Sequence, residues 1–428
     1  MGPLRMWPDD LLAEMSAEER AISVLLRDAH LAADFDLPEL FDRHAIAMGV
    51  RDAVAYLADL QQRVLVPFLV PGGAGHEENL EPLSVEATLA GRTYRQGRVL
   101  SQPLEGTAPE VRVWLPLLDG TERVGVLAVT AASMDVLDAN GGVLRGRLMR
   151  FASLAAELIM TKTMYGDTVV RLRRTQRMGL AAEMQWSLLP PLTFANSLVT
   201  IAGALEPAYE VAGDSLDYAV LPGRVQLAIF DGMGHGLRSA QLASLAVAAY
   251  RNARREGVPL AATVHAIEAA VSAGFGGDAF LTGQVAELDS DSGMLTWINA
   301  GHPGPLLLRG TRLVKTLEAT PILPFGLGDL LAEPHGASIG AEPLEPGDLV
   351  LFYSDGVIEA RSPSGEFFGG DRLVDLVVRN LAAGLPAPET MRRVIRALLD
   401  HQEGQLDDDA SLLLLQHRPA QQEDLLPA

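Results

Sequence analysis

Apolar runs that stop on aspartate recur through the second half of the chain, and they restrict what it can fold into. RVQLAIF closes on Asp231, DLVLFYS closes on Asp355, Asp214 opens a run directly after Gly213, and Asp408-Asp409 precede ASLLLLQ. Runs of this length bounded by Gly and Asp read as short buried strands. A carboxylate at a strand end is carried by a rigid scaffold, and several such ends can converge on one spot, which suits a hard divalent cation that wants oxygen ligands. Each aspartate alone reads as an ordinary turn or cap residue. Only the set carries the inference.

The chain has 428 residues and 48% hydrophobic content, enough for two or three units with their own cores. Its 55 acidic and 34 basic residues leave a formal charge of −21, which argues against nucleic acid as a partner. There is no cysteine, so disulfides, thiolate metal sites and thiol nucleophiles are excluded. The start, MGPLRMWPDD, lacks the blocks of a signal peptide, and VLVPFLV at 64–70 is too short to cross a bilayer. The expectation is a soluble, cytoplasmic protein with no membrane partner.

Along the chain, residues 1–35 read as an N-terminal helix, with Asp9 and Asp10 at its start and Leu11, Leu12, Met15, Ile22, Leu25 and Leu26 at helical spacing. Residues 36–165 read as a mixed α/β domain that includes a hairpin, 111–118 with 123–129, turning at Asp119-Gly120. The pattern from about 142 to 188 predicts one long helix stopped by Pro190-Pro191, its later part (166–195) serving as a helical linker. Residues 196–418 form a second α/β unit, and 419–428 a tail. The arginines 171, 173, 174 and 177 read as a solvated helix face or as charge pairing within a dimer.

GDSLDY, DGMGHG, NAGHPGPLLL at 299–308, LEPGDLVLFYSDGVIEA at 344–360 and DDASLLLL at 408–415 resemble, in order, the motifs of metal-dependent protein phosphatases of the protein phosphatase 2C type. They are similar above all to the bacterial branch that includes the stage II sporulation phosphatase and the sigma-factor regulatory phosphatases. The resemblance implies a β-sandwich flanked by helices (α/β, or α+β, in class) and two Mn²⁺ or Mg²⁺ ions. It implies that Asp231 bridges both ions, that the Gly232 carbonyl and Asp214 add ligands, and that Asp355 and Asp408 complete the site, with Asp409 as the alternative to Asp408. Asp231 and Asp214 would be the residues central to catalysis, and His235, Asn299 and His302 would lie around the ligands. Ala212 departs from the motif, which often has a second glycine there. Water activated between two cations would attack a phosphoserine or phosphothreonine directly, with no phosphoenzyme. Asp278, Asp289 and Asp291 read as turn carboxylates.

Residues 84–102 with the following hairpin look like a GAF domain, a sensory fold that often dimerises; Trp114 reads as core, and no haem or bilin ligand stands out. AAEMQWSLLPP at 181–191 resembles the linker that precedes this phosphatase branch, with Leu180, Met184 and Leu188 on one stripe. The resulting expectation is a homodimeric serine/threonine phosphatase, regulated by its N-terminal sensor, acting on a phosphorylated regulatory protein of the STAS anti-sigma-factor-antagonist type. The alternatives are a catalytically silent scaffold of the same fold and a different metal hydrolase such as a nuclease. Retention of all four aspartates opposes the first, and the acidic charge opposes the second.

Overall fold

The computed structural model describes residues 17–69, 80–206, 209, 213–310, 312–328, 338–404 and 406–418. The chain divides between Thr175 and Gln176 into two compact units. The expectations for residues 1–16, for Ala212 and for the 419–428 tail lie outside the described residues.

The first unit is built on one antiparallel six-stranded sheet in the order β3-β2-β1-β6-β5-β4. Its strands are β1 (Arg51–Ala58), β2 (Val64–Pro67), β3 (Leu83–Ser84), β4 (Leu100–Pro103), β5 (Val111–Asp119) and β6 (Glu122–Ala131), and its helices are α1 (Ala17–His30), α2 (Leu37–Ala47), α3 (Leu89–Gln96), α4 (Met134–Lys162) and α5 (Thr168–Leu172). Leu25, Phe41, Leu148, Phe151 and Ile159 bury one sheet face together with Leu115 and Val129. The other face holds Tyr94 of α3, Tyr56 and Trp114. Trp114 is core, its ring 5.8 Å from that of Tyr56. The expected hairpin forms as β5 and β6, with Asp119 paired to Glu122 and Gly120 at a left-handed φ of 58°.

The long helix expected over 142–188 is broken. Residues Ala139–Gly142, at the expected start, leave helical geometry inside α4, and within the expected span α4 gives way to a 3-10 turn at Thr163–Tyr165. The cause is tertiary. Gly166 is extended and passes so close to Asp34 that a Cβ there would lie 2.5 Å from Asp34 Oδ1, while Asp34 Oδ2 accepts from Thr168 N at 2.8 Å. Arg173 Nε then donates to the Ala58 carbonyl at 2.9 Å, so this arginine is tied to the sheet rather than spread on a solvated helix face.

The second unit has two antiparallel sheets. One runs β15-β12-β11-β10-β9 and the other β14-β13-β16-β17-β8-β7. The strands are β7 (Thr193–Ala195), β8 (Val199–Glu206), β9 (Asp214–Leu221), β10 (Arg224–Gly232), β11 (Leu281–Asp289), β12 (Met294–Ala300), β13 (Leu306–Arg309), β14 (Arg312–Thr316), β15 (Gly340–Pro343), β16 (Leu349–Tyr353) and β17 (Ala410–His417). The helices are α6 (Leu180–Leu188), α7 (Leu237–Glu256), α8 (Leu260–Phe275), α9 (Asp355–Ile358), α10 (Gly370–Ala382) and α11 (Ala387–His401).

Strand periodicity builds the layers. In β10, Val225, Leu227 and Ile229 meet Val350 and Phe352 of β16 and Leu413 and Leu415 of β17 between the sheets. The alternate residues Ala228 and Phe230 turn outward to Leu242, Tyr250 and Ile267 of α7 and α8. Leu412 and Leu414 turn outward on the far side, to Met391, Val394 and Leu398 of α11. The result is a four-layer helix-sheet-sheet-helix sandwich, and a run such as SLLLLQ is apolar throughout because both its faces are covered. Among the described residues no helix is long and apolar enough to cross a membrane.

Candidate active site

The alternation that buries Leu227 and Ile229 between the sheets carries Asp231 to the same face at the end of β10. Asp214 is its cross-strand partner on β9. From the opposite sheet, Asp355 follows β16 and opens α9, and Asp408 and Asp409 immediately precede β17. The four aspartates singled out in the sequence therefore come together at one end of the sandwich, two from each sheet.

Backbone contacts lock this end. Asp409 is buried, and its Oδ2 accepts from Gly213 N at 2.6 Å and Asp214 N at 3.1 Å. It serves as a strut between the sheets, while Asp408 stays at the surface. Gly213 must be glycine, because a Cβ would stand 2.2 Å from both the Gly232 carbonyl oxygen and Ser239 Oγ. Gly356 must be glycine for the same kind of reason, with the Asp409 carbonyl oxygen 1.9 Å from its would-be Cβ.

Three side chains with no distinctive sequence signal complete the frame. Ser354 Oγ donates to Asp214 Oδ2 at 2.6 Å and itself accepts from Ser411 N at 2.9 Å. Ser239 Oγ, in the first turn of α7, donates to the Gly232 carbonyl at 2.9 Å. Gln185 of α6, 1% exposed, donates from Nε2 to the Asp214 carbonyl at 2.9 Å. A serine beside a strand-end aspartate or a glutamine on a helix has too many ordinary uses to be singled out without the fold.

Electrostatics marks the same spot. Burial, then repulsion from Asp355 and Asp408 and a carboxyl-to-carboxyl hydrogen bond with Asp355, push Asp231 up to about 7. Asp214 is raised well above the usual carboxylate range by full burial and by the charges of Asp231 and Asp409, against the hydrogen bond from Ser354. Asp408 keeps much of its surface in solvent, yet desolvation toward the site, with Asp355 and Asp407 adding repulsion, raises its carboxyl too. Carboxylates that raise one another in this way are relieved by a cation, and oxygen-only donors fit Mg²⁺ or Mn²⁺ rather than a thiolate-seeking metal. Among the described residues no three acidic or imidazole side chains are gathered closely enough to hold a metal ion by themselves.

The histidines separate. His235 is exposed on the turn after Asp231. His302 is buried, its Nδ1 2.9 Å from Thr282 Oγ1, and desolvation lowers its pKa to about 3, against the nearby Tyr353 carbonyl that favours the charged ring. Asn299 closes the turn in between, donating to the His302 carbonyl and accepting from His302 N, both at 2.7 Å. Asp289 is a turn residue as expected, accepting from Asp291 N and Ser292 N.

Residues 222–418 match the family described as stage II sporulation protein E (SpoIIE). The match covers just under half of this chain. The matched span holds Asp231, Asp355 and Asp408, while Asp214 lies just before it. Over 240 residues the chain is 25% identical to phosphoserine phosphatase RsbU of Bacillus subtilis, covering 56% of this chain and 69% of that one. Over 160 residues it is 26% identical to the stage II sporulation protein E of Priestia megaterium, covering 37% of this chain and 26% of the other. Among solved structures, the SiaA-PP2C domain of Pseudomonas aeruginosa is similar with a TM-score of 0.46 and 22% identity, over 55% of this chain and 94% of that one.

Proposed function

We propose that the chain hydrolyses phosphoserine or phosphothreonine on a regulatory protein, using two divalent cations, Mn²⁺ or Mg²⁺, at the sandwich end. The observation that carries this reading is the meeting of Asp214, Asp231, Asp355 and Asp408 within a SpoIIE domain. Asp231, Asp214, Asp355, Asp408 and the Gly232 carbonyl would hold the ions. The chemistry such ions supply when bound is acidification of a water and neutralisation of phosphoryl charge. The protein's own contribution is orientation: Ser354 and Gln185 fix Asp214 from its side chain and its carbonyl, Ser239 aims the Gly232 carbonyl, and Asp409 holds the two sheet ends in register. His302, whose charged form is disfavoured by burial, braces the neighbouring turn.

The substrate class we favour is a phosphorylated STAS-type anti-sigma-factor antagonist, in keeping with the similarity to RsbU. Residues 36–165 are read as a GAF-like regulatory domain, in keeping with a single antiparallel sheet covered by helices on both faces. Residues 166–195 are read as the connecting segment, 196–418 as the phosphatase domain, the protein as a cytoplasmic homodimer. Phosphate release from a phosphoserine protein, with and without added Mn²⁺, tests the assignment. Turnover that survives chelation, or a trapped phosphoenzyme, would refute it.

A further inference from the structure

Asp217 of β9 is 1% exposed and carries two arginines of α7. Arg251 grips it in a fork, Nε to Oδ2 at 3.1 Å and Nη2 to Oδ1 at 2.7 Å, and Arg254 Nη1 reaches Oδ2 at 2.8 Å. The two arginines differ in one respect. Arg251 Nη2 also donates to the backbone carbonyl of Leu188, the last residue of α6, whereas Arg254 lies over the Tyr250 ring and, among the described residues, has its hydrogen bond to Asp217 alone. Arg251 thus ties three elements at one point: α6, α7, which follows the Asp231 turn, and β9, which begins at Asp214. Three residues before Leu188 stands Gln185, whose amide holds the Asp214 carbonyl.

We infer that Arg251 is a positioning residue for the candidate metal site: its three-way grip sets the last turn of α6 against β9 so that Gln185 keeps its hydrogen bond to Asp214. The helix also packs Ala182 against Leu205, with Met178, Trp186 and Leu189 around them, so the Arg251 grip sets its register rather than its presence. α6 buries only Ala182 and Gln185, and Leu180 at its start is 66% exposed. A guanidinium suits the task because its planar fork can hold a carboxylate through two nitrogens and still direct an N–H at a carbonyl, which a lysine cannot do. The assignment rests on the reading of Asp214 as a metal ligand for its catalytic consequence, but not for the grip itself.

Arg251→Ala and Arg254→Ala in the full chain separate the two arginines, since both strip a partner from Asp217 and only the first releases α6. Amide hydrogen exchange should rise in 180–188 and at 213–216 for Arg251→Ala and stay near wild type there for Arg254→Ala. The Mn²⁺ concentration for half-maximal phosphoserine hydrolysis should rise about tenfold in Arg251→Ala, the scale of one lost charge-assisted hydrogen bond, with Arg251→Lys recovering part of it. Added to Gln185→Ala, Arg251→Ala should cause little further change, because both act through one contact. Equal exchange in the two arginine variants, or full additivity with Gln185→Ala, would overturn the inference. Exchange that changes as expected in a protein that hydrolyses no phosphoserine would leave the grip standing and remove the phosphatase reading instead.

Discussion

The carboxylate of Asp409 reaches across 196 residues of sequence to accept the Gly213 backbone N–H at 2.6 Å. That bond joins the start of β17 in one sheet to the start of β9 in the other. It also separates the work of two adjacent aspartates, because Asp409 is buried in the frame and Asp408 faces the site.

Asp409→Ala and Asp408→Ala should therefore fail differently. Loss of Asp409 leaves two buried N–H groups unpaired and should cost about 2–4 kcal/mol of stability. Loss of Asp408 should cost less than about 1 kcal/mol and abolish most metal-dependent turnover. Denaturant unfolding beside phosphatase assays distinguishes them, and equal stability of the two variants would contradict the division.

Asp231→Asn removes the charge that Asp355 and Asp408 oppose. In chelator-treated protein it should be neutral or stabilising, because like-charge repulsion is relieved, while Mn²⁺-dependent activity disappears. A thermal scan in chelator and another with Mn²⁺ provide the check: wild type should gain stability from the metal and the variant should not.

His302 supplies a pH dependence. Its folded pKa of about 3 lies below the unfolded value near 6.5, so between those values the unfolded chain binds the extra proton. Stability is fully present above about pH 6.5 and falls as the pH drops toward 3, by up to about 1.4 kcal/mol per unit from this group. Urea unfolding at pH 7 and pH 5 should show a loss of roughly 2 kcal/mol that is absent in His302→Gln. An identical loss in the variant would assign the slope to other groups.

Leu180, Met184 and Leu188 were expected to form one apolar stripe on α6, and the first of them faces solvent. Leu180 is two-thirds exposed, so Leu180→Asp should leave the melting temperature within about 2 °C and reduce oligomeric mass if α6 contributes to the proposed dimer. Light scattering reads the second effect, and unchanged mass would remove Leu180 from any interface.

The strands of the second unit, their aspartate ends and the ordered motifs were legible in the residues themselves, because strand burial is written in local alternation and a turn needs its own Gly and Asp. The hairpin at Asp119-Gly120 was legible for the same reason. The break in the 142–188 helix was not, since Asp34 and the Ala58 carbonyl, more than a hundred residues away, compete for its backbone and its arginine. Ser354, Ser239, Gln185 and Arg251 were equally silent, because their chain neighbours do not define their roles. Those depend on carbonyls and carboxylates brought to them from distant strands. Local chemistry determined which carboxylates stand at strand ends. Only the packing of two sheets decided that Asp409 is buried and Asp408 exposed, because a buried acceptor goes to whichever backbone N–H groups the fold leaves without partners.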